Sequence, residues 1–184
     1  PLFITTIQNK KSSKKLFKKK ELLLVLGEWN LRPKSPQPCL QTPRTIKKRN
    51  SYILGVVKFL QVLDKNIQKN VNINYKPTDP AEVEKKSILH KFPKTQFILN
   101  SWESKNYTHQ VSNKFCLLIE TILSTGFLEA MYLNRPVLLV YDESLNLGPT
   151  KKEFSYYIEI LRKENICFSN FSDAAKFINK TYNN

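Results

Sequence analysis

The sequence predicts an α/β protein built on one parallel, doubly wound sheet. Near-continuous apolar runs, such as Glu21 to Leu26 and Val137 to Tyr141, have the composition of strands covered on both faces. These runs alternate along the chain with segments whose apolar residues recur at helical spacing. Between residues 115 and 142 the connection allows only one short helix, about ten residues, which suits a parallel βαβ crossover. Such alternation is typical of a sheet with helices on both faces.

The remaining elements follow from the same two periodicities. An irregular loop is predicted over Asn30 to Thr45, which holds four prolines. Asp79 is predicted to cap a helix whose first turn carries Pro80, and Asn134 to end another helix in the left-handed conformation. Further strands are predicted at Leu2 to Ile7, Val71 to Tyr75, Gln96 to Leu99, Cys116 to Ile119 and Ile166 to Phe168. Helices are predicted at Ser51 to Asn66, Pro80 to Lys91 and Lys151 to Asn165, with a closing helix led by Ser172 and Asp173.

The composition indicates one globular domain in a reducing compartment. A chain of 184 residues with 41% hydrophobic content can bury one full core. The three cysteines are far apart, without C-x-x-C spacing or companion histidines, which argues against a zinc site or a disulfide framework. No apolar run has the ~18 residues of a membrane span. We therefore expect a cytoplasmic protein. Because the chain begins with Pro1, we also expect it to be a piece of a longer protein.

Positive charge is concentrated near the beginning of the chain. The net charge is +15, and residues 1–50 hold 13 basic residues against two acidic ones. Most of this excess lies in Lys10 to Lys20 (KKSSKKLFKKK). Such a tract can contact an anionic membrane surface or nucleic acid, and it can equally be a solvated loop. Only Phe17 is interleaved with the lysines, so the stacking surface of a nucleic-acid site is not indicated.

The turn from Ser124 to Glu129 is the main candidate for a functional site. It follows a predicted strand and opens a predicted helix, where unpaired N–H groups and the helix dipole attract phosphates. Ser124 and Thr125 offer hydroxyl groups, and Gly126 allows close approach of a ligand. Glu129, one turn further on, is placed to accept hydrogen bonds from ribose hydroxyls. The alternative is that Ser124 or Thr125 only caps the helix and Glu129 favours its positive end.

Lys76 is a second, weaker candidate. It directly follows the strand Val71 to Tyr75, where a cation can pair with a diphosphate, although a lysine there can also be simply exposed. His90 and His109 have no neighbouring ligand-type residues and are interpreted as surface residues. The sequence contains no P-loop, G-x-G-x-x-G motif, Ser/His/Asp order or metal-ligand spacing, and therefore predicts no metal or cofactor.

Three stretches carry a resemblance to a known family. STGFLEAMYLNRPVLLVYDE resembles the "S-T-x-x-x-E-a-l-a-x-n-x-P" element in the C-terminal half of GT-B glycosyltransferases. The segment EFSYYIEILRKENICFSNFSDAAKFINKTYNN resembles the ending of transferases from surface-polysaccharide (O-antigen) loci, and NYKPTDP resembles a strand end of the same family. The match covers about Ser51 to Asn184, and residues 1–50 resemble that family little.

The resemblance implies a Rossmann-like, donor-binding domain over residues 51–184, with residues 1–50 as a basic region of the same domain or a linker. Ser124, Thr125 and Gly126 would hold the diphosphate of a nucleotide-activated sugar, Glu129 its hydroxyls, and Lys76 its phosphate charge. The N-terminal GT-B domain, which supplies the acceptor site and usually the general base, would be missing. The resemblance therefore implies a transferase for surface-polysaccharide synthesis, and it names no catalytic base in this chain.

Overall fold

The protein forms a six-stranded parallel sheet in a computed structural model that describes residues 21–27, 46–75, 79–99, 114–145 and 152–182. The strands are β1 (Leu22–Val25), β2 (Val71–Tyr75), β3 (Gln96–Leu99), β4 (Leu117–Glu120), β5 (Val137–Val140) and β6 (Cys167–Phe168). The helices are α1 (Ile46–Val62), α2 (Lys65–Gln68), α3 (Asp79–Lys91), α4 (Thr125–Tyr132), α5 (Lys152–Lys163) and α6 (Phe171–Thr181). The predicted α/β, Rossmann-like fold is thus confirmed.

The strands lie in the order β3-β2-β1-β4-β5-β6, and every pairing between them is parallel. The chain first builds outward from β1 through β2 to β3, and then returns to the other side of β1 with β4. The order of a doubly wound sheet reverses at such a point, between β1 and β4. A cleft at the carboxyl ends of these two strands is the expected ligand position in this architecture.

Helices cover both faces of the sheet, and strand side chains alternate between the two layers. The first layer packs α1, α2, α3 and α6 against residues such as Leu24, Ile73 and Ile119. The second layer packs α4 and α5 against Leu23 and Leu118, among others. Burial on both faces explains why β1, β4 and β5 read as continuous apolar runs in the sequence.

The C-terminal ends of α4 and α5 each have an asparagine in the left-handed conformation. Asn134 has φ of 52° directly after α4, which confirms the prediction of a left-handed residue there. The N–H groups of Asn134 and Arg135 donate to the carbonyls of Met131 and Ala130, the pattern of a Schellman motif. Asn165, with φ of 56°, ends α5 in the same way.

Other boundaries differ from the predictions. The predicted helix Ser51 to Asn66 begins earlier, at Ile46, and breaks after Val62 into a separate short α2. At this break, the side chain of Asn179 from α6 donates to the Val62 carbonyl and accepts from the Asp64 N–H. The closing helix is capped by Asn170, two residues before the predicted Ser172, and α3 begins at Asp79 itself. The predicted strand Leu2 to Ile7 lies outside the described residues.

Candidate functional site

The carboxyl ends of β1 and β4 are tied together by a buried hydrogen-bond network. The Gly27 N–H donates to the hydroxyls of Tyr52 (2.9 Å) and Thr121 (3.1 Å). Thr121 in turn donates to the Val25 carbonyl (2.8 Å), and its oxygen lies 2.6 Å from the Tyr52 hydroxyl. Because the single hydroxyl proton of Thr121 is committed to Val25, Tyr52 is the donor in that contact. The network connects the ends of β1 and β4 with α1. Burial raises the pKa of Tyr52, so its hydroxyl stays neutral although the two hydrogen bonds act in the opposite direction.

Gly27 is needed where these two strand ends meet. A Cβ atom added to Gly27 would lie 2.7 Å from Cγ2 of Ile122, closer than any normal contact. The absence of a side chain therefore lets the end of β1 approach the segment that follows β4.

The N-terminus of α4 lies at this point and is capped by Ser124. The Ser124 hydroxyl accepts from the Phe127 N–H at 3.1 Å and donates to Oε2 of Glu120 at 3.1 Å. The first of these contacts is the helix-capping role that the sequence left as an alternative, and both are partly buried. Thr125, the first residue of the helix, has an exposed side chain.

Gly126 leaves room for Glu120 beneath the first turn of α4. A Cβ atom at Gly126 would lie 3.2 Å from Oε1 of Glu120 and 3.3 Å from Oγ of Ser124. These distances are tighter than most real contacts, so any side chain here would push against the carboxylate. From the sequence, Gly126 was predicted to allow close approach of a ligand. In the structure it also leaves space for the buried carboxyl group of Glu120.

Glu120 is the site residue that sequence reasoning missed. Its side chain is 6% exposed at the end of β4, on the sheet face that α4 covers. Burial raises the pKa of Glu120 to about 7, the Ser124 hydrogen bond lowers it, and the charge of Glu129 raises it. The signal was present in the sequence: Glu120 is the one charged residue in an otherwise apolar strand, LLIE.

Glu129 lies on α4, close enough to Glu120 for the two charges to interact. Its side chain is half-buried. Two carboxyl groups therefore flank the beginning of α4, one beneath the first turn and one a turn further along. This arrangement leaves the outer side of the turn, at Thr125 and Gly126, as the part of the helix end that is open to an anion.

Asn74 adds a second buried polar side chain to the same sheet face. Asn74 pairs with Val25, and Val25 pairs with Glu120, so these three residues form a row across the ends of β2, β1 and β4. Strand spacing separates Asn74 from Glu120 by roughly 10 Å. Asn74 is 1% exposed, and within the described part of the chain neither atom of its amide group has a hydrogen-bond partner. An unpaired buried amide is costly, which makes this position unusual.

The structure brings together Ser124, Thr125, Gly126 and Glu129 at the switch point. Lys76 and the tract Lys10 to Lys20 lie outside the described residues, so their roles stay predictions. Among the residues that the structure describes, no group of acids, histidines and cysteines is arranged to hold a metal ion. Of the described helices, none is long and apolar enough to cross a bilayer.

A separate cleft of about 390 Å³ opens between α1 and the beginning of α6. Its charged residues are two lysines, Lys58 and Lys176, and two aspartates, Asp142 and Asp173. Lys176 is already paired with Asp173 at 3.1 Å. Because the charges balance, this cleft favours no charged class of ligand, and the α4 turn remains the principal candidate.

A doubly wound sheet with polar side chains gathered at its switch point is an architecture in which enzymes bind ligands at that edge. The whole sequence, residues 1–184, matches the model of the LIC12162 family of transferases. The chain therefore belongs to the LIC12162 transferase family. Comparison with curated proteins found no match.

Proposed function

We propose that this chain binds the activated donor of a sugar transfer reaction, with a nucleotide-linked sugar as the donor. The observation that carries the proposal is the beginning of α4 at the switch point, in a chain that belongs to a transferase family. Transfer from such a donor leaves a nucleoside phosphate, and the group that leaves is negatively charged. A helix N-terminus supplies positive potential without any mobile cation.

Two backbone N–H groups are open for such a ligand. The N–H groups of Phe127 and Leu128 are taken by the side chain and carbonyl of Ser124. Those of Thr125 and Gly126 have no hydrogen-bond partner in the described part of the chain. Unpaired N–H groups in the first turn of a helix are the donors that phosphate oxygens use. The Thr125 hydroxyl is exposed beside them and adds a side-chain donor.

The other roles follow the resemblance to GT-B enzymes. Ser124 positions the turn, Glu129 accepts hydrogen bonds from ribose or sugar hydroxyls, and Lys76 neutralises phosphate charge. A carboxylate suits hydroxyl groups better than phosphates, which places the sugar or ribose beside Glu129 and the phosphates at Thr125 and Gly126. With the helix dipole and Lys76 supplying the positive potential, no metal is required for the leaving group. The acceptor site and the general base are assigned to a further domain, and the product to surface-polysaccharide synthesis.

A thermal-shift screen tests this proposal. The chain is heated with UDP, GDP, CDP, CMP and ADP and with UDP-glucose and GDP-mannose. A ligand at 100 times its Kd stabilises the fold by about 2.7 kcal/mol, which is roughly 5–10 °C in Tm for a chain of this size. We expect one nucleotide class to give such a shift, and Glu129→Ala to reduce it.

The matched control is Glu159→Ala, which removes an exposed carboxylate from α5. It should leave the nucleotide shift as in the wild-type protein. The proposal is contradicted if no nucleotide changes Tm, or if Glu129→Ala and Glu159→Ala bind equally well.

A further inference from the structure

We propose that Glu120 is a positioning residue whose protonation state sets the affinity of the α4 turn for anionic ligands. This inference rests on the proposed function, because it describes how the same turn is regulated. When Glu120 is ionised, its negative charge lies beneath the positive end of α4 and weakens the attraction of that end for a phosphate. When Glu120 is protonated, this opposing charge is absent.

The geometry places the carboxyl group directly against the turn. Oε2 of Glu120 accepts from Ser124 at 3.1 Å, and Oε1 lies 3.2 Å from the position that a Cβ atom of residue 126 would take. An ionised carboxylate at this position interacts with the same N-terminal dipole that would attract the ligand. It also repels a phosphate on the outer side of the turn, across a buried and weakly screened path.

Among the described residues, no cation compensates the charge of Glu120. Ser124, at the beginning of α4, donates a hydrogen bond to it, and the charge of Glu129 on α4 interacts with it. The charge of Glu120 in turn raises the pKa of Tyr52 on α1, and the amide of Asn74 on β2 lies two strands away in the same row. No lysine or arginine of the described residues is among the groups that shift its pKa. A phosphate bound at Thr125 and Gly126 would add further negative charge, so binding should favour the protonated carboxyl.

The expected size of the effect follows from the fraction of protein that is competent to bind. Burial raises the pKa of Glu120 to about 7. The carboxyl group is then about nine-tenths protonated at pH 6 and about one-tenth at pH 8, so the apparent Kd should rise on the order of tenfold between these values. By reciprocity, ligand binding near pH 7 should be accompanied by uptake of a fraction of one proton.

Isothermal titration calorimetry with UDP-glucose and GDP-mannose at pH 6 and pH 8 tests the inference, since their phosphodiester groups do not titrate in this range. Wild-type protein should lose affinity about tenfold at pH 8. Glu120→Gln should bind equally well at both pH values. Repeating the wild-type titration near pH 7 in buffers of different ionisation enthalpy should reveal the proton uptake, without relying on any variant.

Glu84→Gln is the matched control. Glu84 is also buried, at 2% exposed, and burial raises its pKa to about 7 as well. Unlike Glu120, Glu84 on α3 forms an ion pair with Arg49 on α1. This variant should keep the wild-type pH dependence. A pH-independent wild-type Kd, or a pH dependence that survives in Glu120→Gln, would overturn the inference and leave the donor site standing.

Thermal-shift measurements with sulfate distinguish a failure of this inference from a failure of the proposed function. Sodium sulfate is a dianion throughout this pH range, and its effect on Tm is measured at constant ionic strength. If neither nucleotide sugar binds, the donor proposal fails on its own. A sulfate stabilisation that is larger at pH 6 and becomes pH-independent in Glu120→Gln would then support the inference. Sulfate shifts that show the same pH dependence in both proteins would overturn it.

Discussion

Replacing Glu120 by glutamine is expected to change the free energy of unfolding in a pH-dependent way. Relative to the wild-type protein, the variant should be up to about 3 kcal/mol more favoured at pH 8 than it is at pH 4.5. The pKa of Glu120 is about 7 in the folded protein and near 4.5 when the side chain is in water. Between these values the folded state binds more protons than the unfolded state. The free energy of unfolding therefore falls as pH rises through this window, and it is constant with respect to Glu120 above it.

Glutamine removes that ionisation while it keeps the size of the side chain and an oxygen that can accept from Ser124. Urea unfolding of both proteins from pH 4.5 to pH 8 measures the difference. Glu159→Gln, an exposed change on α5, should alter the free energy of unfolding by less than about 0.5 kcal/mol at every pH. A constant difference between Glu120→Gln and the wild-type protein would show that Glu120 ionises at an ordinary pKa, against this account.

Replacing Gly55 by leucine is expected to lower the free energy of unfolding by about 3 kcal/mol. Gly55 lies on α1 where that helix packs against α6. A Cβ atom at this position would lie 2.5 Å from the ring of Phe171, which is 4% exposed. The gain in helix propensity, about 1 kcal/mol, is smaller than the cost of this overlap.

Urea unfolding also checks this prediction, with Gln61→Leu as the matched control because it adds the same side chain to an exposed position of α1. The control should change stability by less than about 0.5 kcal/mol. Combining Gly55→Leu with Phe171→Ala should cost less than the sum of the single changes, since the smaller residue makes room for the larger one. Additive costs would mean that the two residues do not meet.

The interface of α1 and α6 also bears on the candidate site. Phe171 packs edge-to-face against Tyr52 with ring centroids 5.7 Å apart, and Tyr52 donates to Thr121 at the end of β4. One ring contact and one hydrogen bond therefore connect Phe171, the neighbour of Gly55, with the switch point. Weakened nucleotide binding in Gly55→Leu would accordingly be an indirect effect.

Local pattern was sufficient for most of the fold. β2 and β3 have the predicted bounds. In β2 (VNINY) apolar residues alternate with asparagines shortly before Pro77, and β3 (QFIL) is a brief, mainly apolar run. The left-handed Asn134 follows from the amino acid itself, which tolerates that conformation better than most residues. The family match confirms that the chain belongs to a transferase family, which is the coarser part of the resemblance found in the sequence.

What the sequence did not predict depends on contacts between distant residues. The break after Val62 is held by Asn179, which lies 117 positions away. The network at the switch point joins Gly27 with Thr121, 94 positions apart. The role of Glu120 depends on the distance of its carboxyl group from Gly126, which is fixed only when α4 folds back over β4.

The measurement that tests the account most directly is an amide NMR titration of protein labelled with ¹⁵N only at glycine. The chain has four glycines, Gly27, Gly55, Gly126 and Gly148, so the spectrum contains few signals, and Gly126→Ala identifies the one of interest. We expect UDP-glucose or GDP-mannose to shift the Gly126 amide signal strongly and in a saturable manner. The Gly55 amide signal should change little. Saturable binding that leaves the Gly126 amide unchanged would contradict a phosphate site at the beginning of α4.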